Sequence, residues 1–137
     1  MISTALLALM ISITQTDQTV QVQKGTRLEV RNFAGNVSIK TWDKDAVRVE
    51  ATHSDREIVD IRQEDQLLSV RSRSRTGTPR SLDYAITVPP WMAVSVSGTY
   101  ADVTMEGVGG DVTAETTRGD IDVRGGSGNV SLKSVEG

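Results

Sequence analysis

The chain has 137 residues and a mass of 14.8 kDa, which suits one domain. Hydrophobic residues make up 37% and charged residues 24%, the balance of a folded globular chain. A net charge of −3 and an isoelectric point near 5.1 argue against nucleic-acid binding through an overall positive field. The absence of cysteine excludes disulfides, thiolate metal sites and cysteine nucleophiles, and the single histidine, His53, excludes any site built on two imidazoles. Phe33, Trp42, Tyr84, Trp91 and Tyr100 are the only aromatic residues, so Val, Ile and Leu must build most of the core.

From Ile2 to Ile13 the chain is apolar apart from Ser3, Thr4 and Ser12, and carries no charge. A dozen residues cannot cross a bilayer as a helix, which needs roughly 20. The length instead suits the apolar region of a secretory signal spanning residues 1–16. Ser12-Ile13-Thr14 and Thr14-Gln15-Thr16 are the small-x-small cleavage candidates, although no basic residue precedes the run. The competing assignment is a buried N-terminal strand or helix.

Beyond this segment almost everything alternates. Val20/Val22, Leu28/Val30, Val37/Ile39, Val47/Val49, Leu68/Val70, Ile86/Val88 and Val94/Val96 are pairs of apolar residues two apart with polar neighbours. Period-two alternation of this kind predicts strands with one face in the core and one in water. Turn formers separate the runs: Lys24-Gly25, Ala34-Gly35-Asn36, Asp43-Lys44-Asp45, Thr76-Gly77-Thr78-Pro79 and Pro89-Pro90. The stretch 54–66 is the one place a helix is plausible, yet Ile58, Val59 and Ile61 fit a strand as well, and the chain reads as all-β.

The last third repeats every nine residues: ADVTMEGVG from Ala101, GDVTAETTR from Gly110, GDIDVRGGS from Gly119 and GNVSLKSVE from Gly128, with an earlier echo, GNVSIKTWD, from Gly35. Gly or Ala holds position one, Asp or Asn position two, and apolar residues positions three and five. Such a period marks stacked β-units, each too small to bury its own core. Gly110, Asp111, Gly119, Asp120, Gly128 and Asn129 are the predicted turn positions, with position two expected to tolerate the left-handed region and cap its own turn. The pattern differs from calcium-binding nonapeptide rolls, because Gly125-Gly126-Ser127-Gly128-Asn129-Val130 places Val130 where an aspartate ligand belongs.

The segments GNVSIKTWDKDAVRVEATHS from Gly35, LDYAITVPPWMAVSVSGTYADV from Leu82, and the GDV/GDI repeats resemble the bacterial "putative adhesin" domain of the cell envelope. The resemblance covers roughly residues 18–137 and implies a single-domain β-solenoid, similar to a parallel β-helix, with an N-terminal antiparallel strand or hairpin region. It also implies export to the periplasm or cell surface. It carries over no catalytic residue and no cofactor. Members of that family commonly continue for more repeats, so the chain reads as an N-terminal fragment whose last rung, uncapped after Leu132, invites self-association.

Few side chains suggest chemistry. Asp102, Asp111 and Asp120 with Asn129 form a position-two series; two units per turn would stack Asp102 over Asp120, either as a carboxylate pair or simply as solvated turn residues. Arg71, Arg73 and Arg75 alternate with serine and so share one strand face. There they could hold anionic or uronic-acid groups bidentately, or merely solvate an edge. Trp42 and Trp91 could stack sugars or pack at the ends of strands, and His53 reads as a surface strand-end residue. The sequence therefore predicts a non-enzymatic envelope protein presenting a repetitive β-surface to an envelope or surface partner, glycan or protein, without cofactor or metal. The alternative is a carbohydrate-active β-helix enzyme such as a polysaccharide lyase, for which the nine-residue units offer no loops to build a groove.

Overall fold

The computed structural model describes residues 13–54, 56–75, 77, 81–126 and 128–136. It contains ten strands: β1 (Ile13–Gln21), β2 (Arg27–Thr41), β3 (Ala46–Ser54), β4 (Glu57–Glu64), β5 (Leu67–Ser74), β6 (Asp83–Val88), β7 (Ala93–Glu106), β8 (Val112–Arg118), β9 (Ile121–Arg124) and β10 (Val130–Glu136). No helix occurs among the described residues, and the ambiguous stretch 54–66 holds β4. Of the predicted signal segment, residues 1–12 lie outside the described residues, whereas Ile13 already begins β1.

All ten strands belong to one mixed, open sheet. Its main path runs β1-β3-β6-β2-β7-β8-β10, with β5 also paired to β2, β4 to β5, and β9 to β7. The two longest strands explain how one sheet encloses a core. In β2 the buried residues are Leu28, Val30 and Asn32, then Val37 and Ile39. A straight strand keeps the same parity facing inward. The change of parity across Ala34-Gly35 means that the strand turns a corner there and presents both halves to the same interior. In β7 the same shift separates Val94 and Val96 from Ala101, Val103 and Met105.

The corners divide the sheet into two faces. On the first lie β4, β5, the leading half of β2, the leading half of β7, β8 and β10. The second carries β1, β3, β6, the trailing halves of β2 and β7, and β9. Inward residues of both faces, among them Leu28, Val70 and Val96 from the first and Ile39, Val49, Ile86 and Met105 from the second, form one core cluster. Each fully buried Val, Leu or Ile contributes roughly 1.5–3 kcal/mol, so this shared interior is the main source of stability.

The lateral pairing of β7 through β10 is parallel and follows the nine-residue unit. Val94 pairs with Val112, Val103 with Ile121, and Val112 with Val130, each partner lying two units further along the chain. Strand β2 lies beneath β7 in the same phase, with Leu28 opposite Val94 and Val37 opposite Val103. On its other side β2 pairs in parallel with β5 (Leu28 opposite Leu68) and β6 (Val37 opposite Tyr84). The chain therefore leaves β2, lays β5 and β6 on one side of it, and returns as β7 on the other. The antiparallel pairs β1/β3, β3/β6 and β4/β5 flank the β5/β6 side. At the opposite side β10 pairs, among the described residues, with β8 alone, and Val130, Leu132 and Val135 are 50%, 46% and 65% exposed.

Candidate functional site

The corners show what the repeat residues do. At Gly119 and Gly128 a Cβ atom would sit 2.1 Å from the Ala101 carbonyl oxygen and 2.3 Å from the Gly110 carbonyl oxygen; at Gly110 it would sit 2.4 Å from that of Met92. At these three glycines the chain passes so close to the backbone of the preceding layer that only hydrogen fits. Neither Gly110 nor Gly128 has a positive φ, so at these two positions the requirement is steric rather than torsional.

Position two works differently from the expectation of a self-capping, left-handed turn. Asp65 is the only described non-glycine residue with positive φ, so Asp102, Asp111, Asp120 and Asn129 have ordinary backbones. The Asp102 carboxylate accepts the backbone N–H of Asp120 at 2.8 Å, and Asp111 accepts that of Asn129 at 3.1 Å. Asp83 accepts the N–H of Asn36 at 3.0 Å in the same manner. In return the carbonyls of Asp120 and Asn129 accept from Val103 and Val112 of the layer below. Each of these carboxylates therefore clamps its own layer to the next through Oδ1. No group of three or more His, Asp or Glu residues among the described residues could hold a metal ion.

Sequence reasoning missed a third corner position. Extending the nine-residue frame backwards to Thr26 and Met92 places Asn32, Gly98, Thr116 and Ser134 at position seven. Asn32 Nδ2 donates to the Leu82 carbonyl at 2.9 Å, Thr116 Oγ1 to that of Thr99 at 3.3 Å, and Ser134 Oγ to that of Gly119 at 2.9 Å. Small polar side chains tie the corner's backbone carbonyls, which the turn takes out of the sheet ladder. The in-phase unit TRLEVRNFA carries the signal in Asn32, but without the glycine and aspartate that make the later units conspicuous.

The three predicted arginines separate. Arg71 and Arg73 point outward from β5, whereas Arg75 lies past its end and donates its backbone N–H to the Arg56 carbonyl. Arg73 Nε donates to Asp60 at 2.7 Å, so its charge is paired. Arg71 is exposed and has no ion-pair partner among the described residues. Its parallel neighbour is Arg31 of β2, whose contact with Glu29 is long, 3.7 Å, and well exposed. Arg31 in turn lies beside Ser97 of β7. A groove of about 330 Å³ follows these residues, bordered by Ser72, Thr99 and Phe33. Phe33 and Tyr100 are both exposed and meet edge to face at 5.5 Å.

The second face is more acidic. Asp17, Glu50, Asp83, Asp102, Glu106, Asp120 and Asp122 project from it against Lys40, Arg48 and Arg124. Arg48 donates to both oxygens of Asp17, at 3.1 and 2.9 Å, and this bond holds the Asp17 carboxyl below its usual value. Both indoles are engaged at one end of the fold: Trp42 Nε1 donates to the Ala46 carbonyl at 2.8 Å and Trp91 Nε1 to Asp45 at 3.0 Å. Lys44 sits 5.0 Å above the Trp42 ring. His53, expected at the surface, is buried at 8% exposure. Strand β1 covers it: Nε2 meets Thr16 Oγ1 at 2.8 Å, and Nδ1 meets the Ser54 carbonyl at 2.7 Å. Tyr84 is buried near Ser72, and burial pushes the phenol up to about 12.

No protein-family model matches the sequence, and no curated protein matches it. Among solved structures the chain is similar to a protein from Parabacteroides merdae described as a "putative adhesin", with a TM-score of 0.55 and 13% identity over 82% of this chain and 52% of that one. A protein from Clostridium sporogenes described as a "putative cell adhesion protein" aligns with a TM-score of 0.45 and 10% identity over 89% of this chain and 99% of that one. The chain spans about half of the Parabacteroides merdae protein, and at that identity the likeness is one of fold.

Proposed function

We propose that the protein is a non-enzymatic, exported β-solenoid module of the cell envelope, adhesin-like in presenting flat repetitive faces to a surface partner. The observation that carries this reading is the two-unit register from β7 to β10, in which each layer is clamped to the next by position-two carboxylates at corners without inserted loops. Such a stack spends its sequence on two broad outward faces of regularly spaced polar and charged side chains rather than on an enclosed pocket. The fold likeness to the Parabacteroides merdae protein supports the adhesin-like role. No helix among the described residues is long and apolar enough to cross a membrane. The exposed edge of β10 is where the self-association expected from the sequence would act.

The test is fractionation of the full chain carrying a C-terminal tag, with surface protease treatment and N-terminal sequencing. The reading expects the chain outside the inner membrane. It also expects processing after Thr14, at the Ser12-Ile13-Thr14 candidate, because cleavage after Thr16 would remove the hydroxyl that meets His53. Retention of an unprocessed chain in the cytoplasm would overturn it.

A further inference from the structure

We propose that the groove centred on Arg31 and Arg71 binds the carboxylate of a uronic-acid residue in an acidic polysaccharide. The inference deepens the surface-binding reading above by giving it a site and a ligand class.

Four observations converge on this groove. Arg31 and Arg71 are register partners on adjacent parallel strands and both project outward. Like charges set directly opposite in a sheet destabilise it, and the nearby acids are shared with other groups or held at long distance. Asp60, the antiparallel partner of Arg71, gives its carboxylate to Arg73, and Glu29 stands 3.7 Å from Arg31. An anion bridging the two guanidinium groups would resolve the repulsion, and a planar carboxylate matches the guanidinium fork.

The surroundings favour a sugar over a bare anion. Ser97 and Thr99 border the groove, and Ser97, on the outward parity of β7, offers a hydroxyl that can pair with those of a pyranose. Phe33 closes one side and is braced edge-on by Tyr100. An exposed aromatic ring held in a fixed orientation offers an apolar face to the C–H groups of a sugar ring. A free phosphate would engage the arginines and leave the hydroxyl and the ring unused. The acidic second face would repel the same polymer, so binding is confined to one side of the fold.

The experiment titrates the purified full chain with trigalacturonate and, separately, with maltotriose, inorganic phosphate and anionic phospholipid vesicles, following heat and Phe33/Tyr100 resonances. Trigalacturonate should bind, more weakly as salt rises, and maltotriose should not. Arg71→Gln and Arg31→Gln should each weaken binding about 10- to 100-fold, and Phe33→Ala about 3- to 10-fold. Arg48→Gln, on the second face, should leave it unchanged. Arg31 and Arg71 are exposed and Arg48 is half-buried, so circular dichroism checks that each variant remains folded. Equal binding by wild type and both groove variants, equal binding of maltotriose, or binding to phosphate or vesicles without binding to trigalacturonate would overturn the assignment. A chain that is exported but ignores trigalacturonate loses this site and keeps the proposed function; one that binds it but stays in the cytoplasm loses the proposed function and keeps the site.

Discussion

Alanine at Gly35, Gly110 and Gly25, introduced one at a time, separates the two reasons a corner can demand glycine. At Gly25 φ is +96° and the new Cβ would meet only the end of the Gln66 side chain, at 3.4 Å, so the penalty is torsional. Placing an L-residue in that region costs roughly 1–2 kcal/mol. At Gly110 φ is not positive, but the Cβ would lie 2.4 Å from the Met92 carbonyl oxygen and 2.5 Å from its carbon. Backbone fixed by the adjoining sheet cannot step aside cheaply, and overpacking of this kind costs about 1–3 kcal/mol. Gly35 combines the two, with φ at +113° and the Leu82 carbonyl oxygen at 2.2 Å. The sum is about 2–5 kcal/mol, a large share of the roughly 5–15 kcal/mol that holds a domain together. Urea titration at constant m-value gives each loss directly, and thermal unfolding should fall by about 4 °C per kcal/mol. The expected order is Gly35→Ala most destabilising, with Gly110→Ala and Gly25→Ala each milder. A neutral Gly110→Ala would refute the close approach of adjacent layers, and with it the steric reading of position one.

Other perturbations probe the core and its titration. Ile39→Ala, at a fully buried site, should cost about 2–5 kcal/mol, whereas Leu132→Ala, 46% exposed on β10, should cost under about 1 kcal/mol; equal losses by urea titration would contradict a core centred on β2. Because the Tyr84 phenol is raised to about 12 in the fold, the folded state holds its proton more tightly than the unfolded chain does. That stability is intact below about pH 10 and is lost as pH rises from there to about 12, at most about 3 kcal/mol for a two-unit shift. Tyr84→Phe should flatten this alkaline decline, and unchanged pH dependence in the variant would show that another group is responsible.

The sequence by itself determined the strands and most of their inward residues, although Val130 and Leu132, inward by the same frame, are 50% and 46% exposed on β10. Alternation of Val, Ile and Leu with polar neighbours is a local property, and the nine-residue frame repeats it with the parity change that each corner requires. The pairs Val94/Val96, Val103/Met105 and Val112/Ala114 are buried where that pattern puts them. Only the tertiary structure decided which strands become neighbours. Strands β5 and β6 go to one side of β2 and β7 to the other, so Val37 meets Tyr84 and Val103 from distant parts of the chain. Lateral pairing depends on the path of the connections, and alternation is silent about that path.

The same non-locality rearranged the candidate site. Arg73 and Arg75 left the expected stripe because Asp60 on β4 captured one and the end of β5 released the other. Arg31 joined Arg71 because their strands run side by side, and His53 became buried because β1 folds over β3. Charge partners and burial are set by neighbours across strands, which no short window of sequence contains.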